Sequence, residues 1–381
     1  MCCRNTSTAR ATCNSGAQSF ASGTSIGKMD ATRGTASVTP PLMTSHTTVQ
    51  ARYLARSALT AGETISSGEQ LLAVIDYDAV EPLQVSCPMA SVALRQLGGP
   101  SLCEVWTSSV PIERDSYCGI EFASNDEVLF GVYQGEETPD VLLDRFIHDI
   151  YARITRLAMR EGYPHLLRMW NYFGDIDGEE EGVGRYQRFC IGRYQAFAES
   201  KVQLERYLPA ASVIGSVGST VTIYFVAARN PGTPVENPRQ VSAFRYPPQY
   251  SPQSPSFSRA MLKTWTACAR LYVSGTASIV GHATMHAGDI TQQLSEILQN
   301  LQALLVHASR IGQTDLTSAS ATLLKVYLRH AGDCSVVEKR LTRLLGSVPA
   351  LYLQGEFCRR DLLLEIEGIY QRERSAGVVA A

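Results

Sequence analysis

The order of predicted strands and helices is the feature that most limits how this chain folds. From Gln70 onward, short β-branched or aromatic segments alternate with longer segments whose apolar residues recur at helical spacing. The predicted strands of a first set are 71–77, 103–108, 118–123, 127–134 and 165–173. Predicted helices begin near Asp140 and Gly184, and a second set with similar order runs from 211 to 370. The pattern predicts an α/β protein.

The repeated order of elements favours two related domains, each a mixed sheet with helices packed on one face. We expect an N-terminal domain over residues 49–209 and a C-terminal domain over residues 210–381, joined near Pro209. Residues 1–48 are rich in Ser, Thr, Ala and Gly and lack the apolar segment of a secretory signal. An organellar transit peptide has a similar composition, but a disordered extension is the simpler interpretation.

Composition limits the classes of partner. The 381 residues carry a net charge of −2, so no overall basic field attracts nucleic acid or an anionic membrane. No run of 18 apolar residues predicts a membrane-spanning helix. The ten cysteines include no C-x-x-C pair, which favours reduced thiols in a cytoplasmic protein over disulfides or a zinc site.

The segment from Phe244 to Met261 combines four prolines with aromatic residues and arginines. Proline fixes φ and removes a backbone donor, so this segment is stiff and does not form a central strand. Its simplest interpretation is a rigid crossover with Arg245 and Arg259 in solvent. Arginine forks and tyrosine walls also suit a small aromatic anion, with Tyr246 and Arg259 as candidates. Single-stranded nucleic acid binds similar mixtures, but the near-neutral charge argues against it.

The helix that begins near Gly184 places Tyr186 and Arg193 on one face, because seven residues are about two turns. A guanidinium among aromatic residues needs an anionic partner. An ion pair with an acid of "GDIDGEEEG", residues 174–182, is one candidate for that partner, and a substrate carboxylate is the other.

The last predicted strand carries two acids in an apolar context, "CRRDLLLEIEGIY". Alternation places Glu365 and Glu367 on one face, and a desolvated carboxyl there has a raised pKa and carries a proton near neutral pH. A strand with one solvent face explains the same pattern. Cys358 is a small buried residue by default.

A glycine and two histidines raise further possibilities. Gly281 permits close approach of backbone or ligand. His282, His286 and Asp289 have a spacing that suggests metal ligands, although Asp289 also suits a helix N-terminus, which is the favoured interpretation.

Four blocks together resemble the chorismatase family: "RMWNYFGDID" with "RYQRFCIGR", "FRYP" with "PSFSRA", "LYVSGTASIVGH", and "CRRDLLLEIEG". The resemblance extends from about Leu71 to Tyr370. It implies two Rid/YjgF-like domains, a fold related to trimeric chorismate mutase, and a site in the C-terminal domain at the junction with the N-terminal one. It also implies removal of the enolpyruvyl group of chorismate as pyruvate. One subfamily gives 3-hydroxybenzoate, some members also give 4-hydroxybenzoate, and another hydrolyses chorismate to a dihydroxycyclohexadiene carboxylate.

The resemblance assigns expected roles to seven residues. Glu365 matches the essential glutamate, and Cys358 and Gly281 match positions that separate the aromatic-forming enzymes from the hydrolytic ones. Cys358 is expected to assist catalysis by its shape or as a base. The expected substrate contacts are Tyr186, Arg193, Tyr246 and Arg259. No metal or organic cofactor is implied, the partner is chorismate, and a monomer or weak homo-oligomer is expected. The alternatives are a hydrolase, a non-enzymatic Rid-like binder of aromatic carboxylates, and an imine deaminase.

Overall fold

Sheets packed face to face form the centre of the protein in this computed structural model. The structure describes residues 48–60, 68–77, 81–200, 207–248, 250–317 and 320–374. The predicted disordered extension lies outside the described residues, apart from Thr48.

A four-stranded sheet comes first in the chain and has the strand order β1–β4–β2–β3. Its strands are β1 (Val49–Ala55), β2 (Gln70–Tyr77), β3 (Met89–Val92) and β4 (Leu102–Ser108). The short helix α1 (Arg56–Thr60) follows β1.

The first large sheet contains six strands among the described residues. Its strands are β5 (Glu113–Tyr117), β6 (Ile120–Ser124), β7 (Val128–Glu136), β8 (His165–Gly174), β11 (Ala210–Ser216) and β12 (Thr220–Ala228). The short strands β9 (Glu179–Glu180) and β10 (Val183–Gly184) pair with each other. The helices of this part are α2 (Leu143–Arg160) and α3 (Arg185–Glu199).

The second large sheet also has six strands in the described chain. They are β13 (Thr233–Val235), β14 (Ala260–Thr264), β15 (Cys268–Ala277), β18 (Ala321–Leu328), β19 (Ala350–Gln354) and β20 (Leu364–Glu373). The short strands β16 (Ile279–Val280) and β17 (Ala283–Thr284) pair with each other. The helices are α4 (Ile290–Gly312) and α5 (Cys334–Leu345), with 3₁₀ turns at Ala243–Arg245 and Ala331–Asp333.

The two large sheets have the same topology. The strand orders are β5–β6–β7–β12–β8–β11 and β13–β14–β15–β20–β18–β19. Each contains one parallel pair, joined by a helix: β8 to β11 through α3, and β18 to β19 through α5. The prediction of an α/β fold with a repeated order of elements is confirmed.

The predicted boundary after Pro209 does not separate these sheets. β11 and β12 follow that residue but pair with β8 and β7 of the first large sheet. Element order alone does not show which strands pair, and the crossover through α3 returns the chain to the sheet it came from. We therefore place the division between the two sheet units at residues 229–232, between β12 and β13.

Apolar spacing determines which face of each helix is buried. The apolar residues of α2 that recur at helical spacing, from Leu143 to Ala158, are buried against the first large sheet. Helix α4 begins where Asp289 accepts hydrogen bonds from the backbone N–H groups of Thr291 and Gln292. Its apolar side, with that of α5, covers the outer face of the second large sheet. Each large sheet thus has helices on one face, as predicted.

The inner faces of all three sheets share a central core. Trp106 of β4, Trp170 of β8, Tyr224 of β12 and Tyr327 of β18 are buried in it. Strand β20 lies between this core and the helices, so both of its faces are covered. The alternative that Glu365 and Glu367 lie on a solvent face is wrong.

Candidate active site

A cavity lies where β11 of one large sheet meets β15 of the other. It is lined by α3, β11, β15, the loop before β20 and the proline-rich segment. Lining residues with polar or aromatic side chains are Tyr186, Ser212, Tyr246, Tyr250, Ser251, Phe257, Arg259, Cys358, Arg359 and Glu365. A larger cavity next to α2 and α3 has no carboxyl or guanidinium group among its described lining residues.

Serine side chains connect the two sheets at this cavity. Ser274 Oγ accepts a hydrogen bond from the Ala211 N–H at 2.8 Å and donates to the Ser258 carbonyl at 2.6 Å. The Gly275 N–H donates to Ser212 Oγ at 2.9 Å. The pairing of β15 with β20 shifts register between Val273 and Thr276, which turns this part of β15 toward β11.

Glu365 is the acid of the cavity. It is the second residue of β20, is paired with Ala277, and is 8% exposed. The pKa of its carboxyl is raised to about 8, chiefly by burial and further by the nearby Glu367 carboxylate. The positive charges of Arg168 and Arg259 lower this pKa, but by less. At neutral pH the carboxyl therefore holds a proton that it can donate.

Gly275 provides the space for this carboxyl. A Cβ added at Gly275 would lie 2.6 Å from Cδ of Glu365, closer still to Oε1, and 3.2 Å from Ser212 Oγ. Its φ is not in the left-handed region, so glycine is required for space and not for backbone conformation.

The proline-rich segment forms one wall, and we call residues 246–248 and 250–257 the strap. The Tyr246 hydroxyl accepts a hydrogen bond from Arg259 Nη2 at 2.8 Å. Tyr250 is held by His282, whose Nδ1 lies 3.0 Å from its hydroxyl, and by Gln187, which donates to its carbonyl at 3.1 Å. The interpretation of solvent-facing arginines fits the exposed Arg245 but is wrong for the buried Arg259.

Two arginines reach the cavity. Arg259 donates through Nη2 to the Val241 carbonyl and to Tyr246, whereas its buried Nε has no hydrogen-bond partner among the described residues. The guanidinium of Arg359 lies 4.1 Å from the Tyr250 ring centroid and donates to the His282 carbonyl at 3.0 Å. Arg359 was not among the residues predicted from the sequence, although its position beside Cys358 could have indicated it.

Tyr186 and Cys358 form the wall next to α3. Burial raises the pKa of the Tyr186 hydroxyl well above its usual value, and that hydroxyl interacts with the Cys190 thiol. Burial is the largest cause that raises the pKa of the Cys358 thiol to about 12, and the nearby Glu365 is the second largest. Cys358 is therefore a neutral thiol at physiological pH.

Arg193 is not brought to the lining of this cavity. It is 2% exposed, and its guanidinium lies 5.3 Å from the Tyr151 ring and 5.4 Å from the Phe197 ring. Within the described chain, Nε and Nη2 of Arg193 have no hydrogen-bond partner. The candidate ion pair with an acid of residues 174–182 is wrong: among the described residues no carboxylate pairs with Arg193, and Glu180 pairs with Arg185 and Arg188.

Gly281 also lies outside the cavity lining. It joins β16 to β17, has a φ of +59°, and donates its N–H to the Arg239 carbonyl at 2.9 Å. A Cβ added there would meet no atom within 4 Å. Glycine is favoured at this position by its left-handed backbone conformation.

The histidines near Gly281 have structural partners. His282 contacts Tyr250, and His286 Nε2 lies 3.3 Å from Glu296. Across the described ranges, no group of three His, Cys, Asp or Glu residues has the arrangement of a metal site. In those same ranges, none of the helices has both the length and the apolar character needed to cross a membrane.

The fold and the cavity define an α/β enzyme with one buried acid and two arginines at the junction of two similar sheets. The model of the FkbO/Hyg5-like chorismatase N-terminal family matches residues 104–227. A chorismatase of Streptomyces rapamycinicus is 34% identical over 347 residues, which cover 87% of this chain and 99% of that protein. This chain belongs to the chorismatase family.

Two further relatives agree with this assignment. A 3-hydroxybenzoate synthase of Streptomyces hygroscopicus is 32% identical over 317 residues, or 79% of this chain and 92% of that protein. A chorismatase crystal structure matches with a TM-score of 0.76 and 30% identity, and covers 84% of this chain and 98% of that one.

Proposed function

We propose that this protein removes the enolpyruvyl group of chorismate as pyruvate and forms 3-hydroxybenzoate. The observation that carries the proposal is Glu365, a buried carboxyl with a pKa of about 8 in a cavity with two arginines. The relative named 3-hydroxybenzoate synthase supports this choice of product.

The cavity suits a compact dianion. Chorismate carries a ring carboxylate and an enolpyruvyl carboxylate, and Arg259 and Arg359 each offer a guanidinium. The free Nε of Arg259 provides a donor for one of these groups. Tyr246 and Tyr250 supply flat walls for the cyclohexadiene ring, and the strap keeps both rings in place.

Glu365 supplies the proton that starts the reaction. An enol ether breaks after its terminal methylene carbon is protonated, which leaves an oxocarbenium centre and a carboxylate on the acid. Proton transfer to carbon needs a positioned acid whose pKa is near the working pH. The strand backbone and Gly275 fix the direction of this carboxyl.

The next step determines the product. For 3-hydroxybenzoate, the ring hydroxyl attacks the cation in place of water, and the bond between the cationic carbon and the original ether oxygen breaks, which leaves that oxygen on the ring. The bond between the ring and the attacking oxygen then breaks, and that oxygen departs as the ketone oxygen of pyruvate. Loss of a proton from the ring carbon that carries the remaining oxygen, back to the Glu365 carboxylate, gives the aromatic product. Pyruvate and hydroxybenzoate together contain all the atoms of chorismate, so this route consumes no water. Cys358, as a neutral thiol beside Glu365, contributes by excluding water. Water entry would give the dihydroxycyclohexadiene acid.

Incubation of the protein with chorismate tests this proposal. We expect pyruvate, measured with lactate dehydrogenase, in equal amount to an aromatic product that chromatography identifies as 3-hydroxybenzoate. The dihydroxy diene acid as sole product would assign the protein to the hydrolases. Binding of chorismate without pyruvate release would assign it to the non-enzymatic binders, although such a binder gains nothing from an acid that faces a bound dianion.

Cellular location and assembly remain predictions. The described cysteines are free thiols, which is typical of a reducing compartment, and we propose a cytoplasmic enzyme. Gel filtration tests the expected monomer or weak homo-oligomer.

A further inference from the structure

A buried cluster of charges lies where the four-stranded sheet meets the two large sheets, next to the cavity. It contains Glu104 of β4, Arg168 of β8, and Lys325 and Glu367 of β18 and β20, all at most 4% exposed. Lys325 Nζ lies 2.8 Å from Glu104 and 2.9 Å from Glu367, and Arg168 Nη2 lies 2.7 Å from Glu367. Two anions and two cations make the cluster neutral.

The two carboxylates of the cluster have matching surroundings. Glu104 accepts a hydrogen bond from the indole of Trp106 at 2.8 Å, and Glu367 accepts one from the indole of Trp170 at 2.7 Å. Burial alone would raise the pKa of Glu367, but Lys325 and Arg168 outweigh it and lower that pKa. Glu367 is therefore a fixed negative charge.

Glu365 differs from Glu367 in every one of these contacts. The two residues lie on the same face of β20, two positions and about 7 Å apart. No side chain or backbone group of the described residues hydrogen-bonds the Glu365 carboxyl, and no cation pairs with it. Arg168, the nearest cluster cation, instead donates to Glu367 and to Ser212 Oγ at 2.6 Å. Arg168 is thus held by Glu367 and Ser212, and Lys325 is held by Glu104 and Glu367.

Ser212 links the cluster to the backbone beneath the acid. Its Oγ receives Arg168 on one side and the Gly275 N–H on the other. Charged or titratable groups that face Glu365 come from its own strand, β8, β18, α3, the residue before β14 and the loop before β20. They are Glu367, Arg168, Tyr327, Tyr186, Arg259, Cys358 and Arg359. Glu367 is the anion among them, since burial keeps Tyr327, Tyr186 and Cys358 neutral.

We propose that Glu367 is a positioning residue whose fixed negative charge keeps the Glu365 carboxyl protonated for the reaction. The inference rests on the proposed function, in which Glu365 is the acid. A purely structural cluster would join the sheets equally well with Glu367 or Glu104 as its anion. The two acids therefore form a matched pair for a test.

The test compares Glu367→Gln with Glu104→Gln. Each variant removes one buried carboxylate that contacts Lys325 and an indole, and only the first removes the charge beside Glu365. We expect Glu367→Gln to move the alkaline limb of kcat to lower pH by about one to two pH units. Glu104 is not among the charges that shift the pKa of Glu365, so Glu104→Gln should leave that limb close to the wild-type position. Equal movement in both variants, or none in either, would overturn the proposal.

Neutral double variants keep the test valid if a single variant does not fold. Glu367→Gln with Lys325→Met and Glu104→Gln with Lys325→Met each remove one anion and one cation. The expected difference in the alkaline limb is the same, and its absence from a folded pair would overturn the proposal.

A second readout does not depend on turnover. The infrared C=O band of the protonated Glu365 carboxyl is the band that Glu365→Gln lacks, and its loss on titration reports the same proton. We expect this titration at lower pH in Glu367→Gln and at the wild-type pH in Glu104→Gln. Failure of wild-type protein to release pyruvate would reject the proposed function, whereas an unmoved band in Glu367→Gln would reject the role of Glu367 alone.

Discussion

The Glu365 carboxyl lies directly against the Cα of Gly275, with no room between them for a methyl group. Gly275 of β15 thus fixes the position of the acid on β20, the neighbouring strand of the same sheet. The Gly275 N–H is itself held by Ser212 of the other sheet, so three strands define where the proton is delivered.

Gly275→Ala should lower turnover strongly while the protein stays folded. The added Cβ would overlap Oε1 of Glu365 and force the carboxyl to rotate. A displacement of about 1 Å at a reacting group costs about 10²-fold in rate. Steady-state pyruvate release measures the effect. Gly332→Ala is the control, because a Cβ there meets nothing within 4 Å; equal turnover in both variants would contradict the expectation.

Glu365→Gln should fold and lose turnover by about 10²- to 10⁴-fold, since the amide cannot donate the required proton. Its circular dichroism should match that of the wild type. Chorismate should still bind, because Arg259 and Arg359 are unchanged. Pyruvate release near the wild-type rate would remove Glu365 from the mechanism.

Stability should depend on pH through the same residue. The pKa of Glu365 is about 8 in the folded protein and near 4.5 when it is exposed, so the folded state holds one extra proton between these values. The wild type should therefore lose stability relative to Glu365→Gln as pH rises from 5 to 8, by on the order of 1 kcal/mol per pH unit. Urea unfolding of both proteins across this range measures the difference, and parallel curves would show that Glu365 titrates normally.

Arg259→Ala and Arg359→Ala should each reduce kcat/KM for chorismate by about 10- to 100-fold, the loss expected when a charged hydrogen bond disappears. Arg245→Ala is the matched control, because Arg245 borders the same strap but is exposed. Unchanged kinetics in the first two variants would return them to a structural role. Arg193→Ala tests the remaining predicted contact, and an unchanged KM with reduced stability would assign Arg193 to the packing of α2 against α3.

Cys358→Ala should still release pyruvate but shift the product from 3-hydroxybenzoate toward the dihydroxy diene acid. Loss of the thiol leaves room for water beside the acid, and Glu365 still protonates the enol ether. Chromatography of the products gives the ratio. Gly281→Ala is the variant for comparison. The family resemblance predicts that it shifts the product in the same direction, although Gly281 does not line the cavity. A wild-type ratio in Cys358→Ala would make this cysteine a packing residue.

Long periodic elements were predictable from sequence, whereas short or edge strands were not. Helices α2 and α4 have apolar residues at regular spacing, and Asp289 marks the start of α4. Strand β5 is exposed and charged, and β13 contains Pro234, so neither has the composition of a strand. The pairing of β11 with β8 depends on a crossover that no local pattern reveals.

The chemistry of the site was partly predictable for a similar reason. Glu365 was identifiable because an acid in an apolar strand is unusual. Gly275 was not, because its role depends on a neighbour 90 positions later in the chain. Arg193 satisfied the aromatic pattern but lies among α2 and α3 side chains, since helical spacing gives a face and not what covers it.

The two large sheets share a topology but differ in their chemical roles. β12 and β20 occupy the same place in the two strand orders, yet the acid is on β20. On β12, the Thr222 hydroxyl accepts a hydrogen bond from Gln134 and donates one to the Ser91 carbonyl. If the two units arose by duplication, the first unit does not carry the acid, and its remaining role is to cover the inner face of the second unit. Its sequence can drift wherever it preserves the shape and charge of the face that it presents to β20.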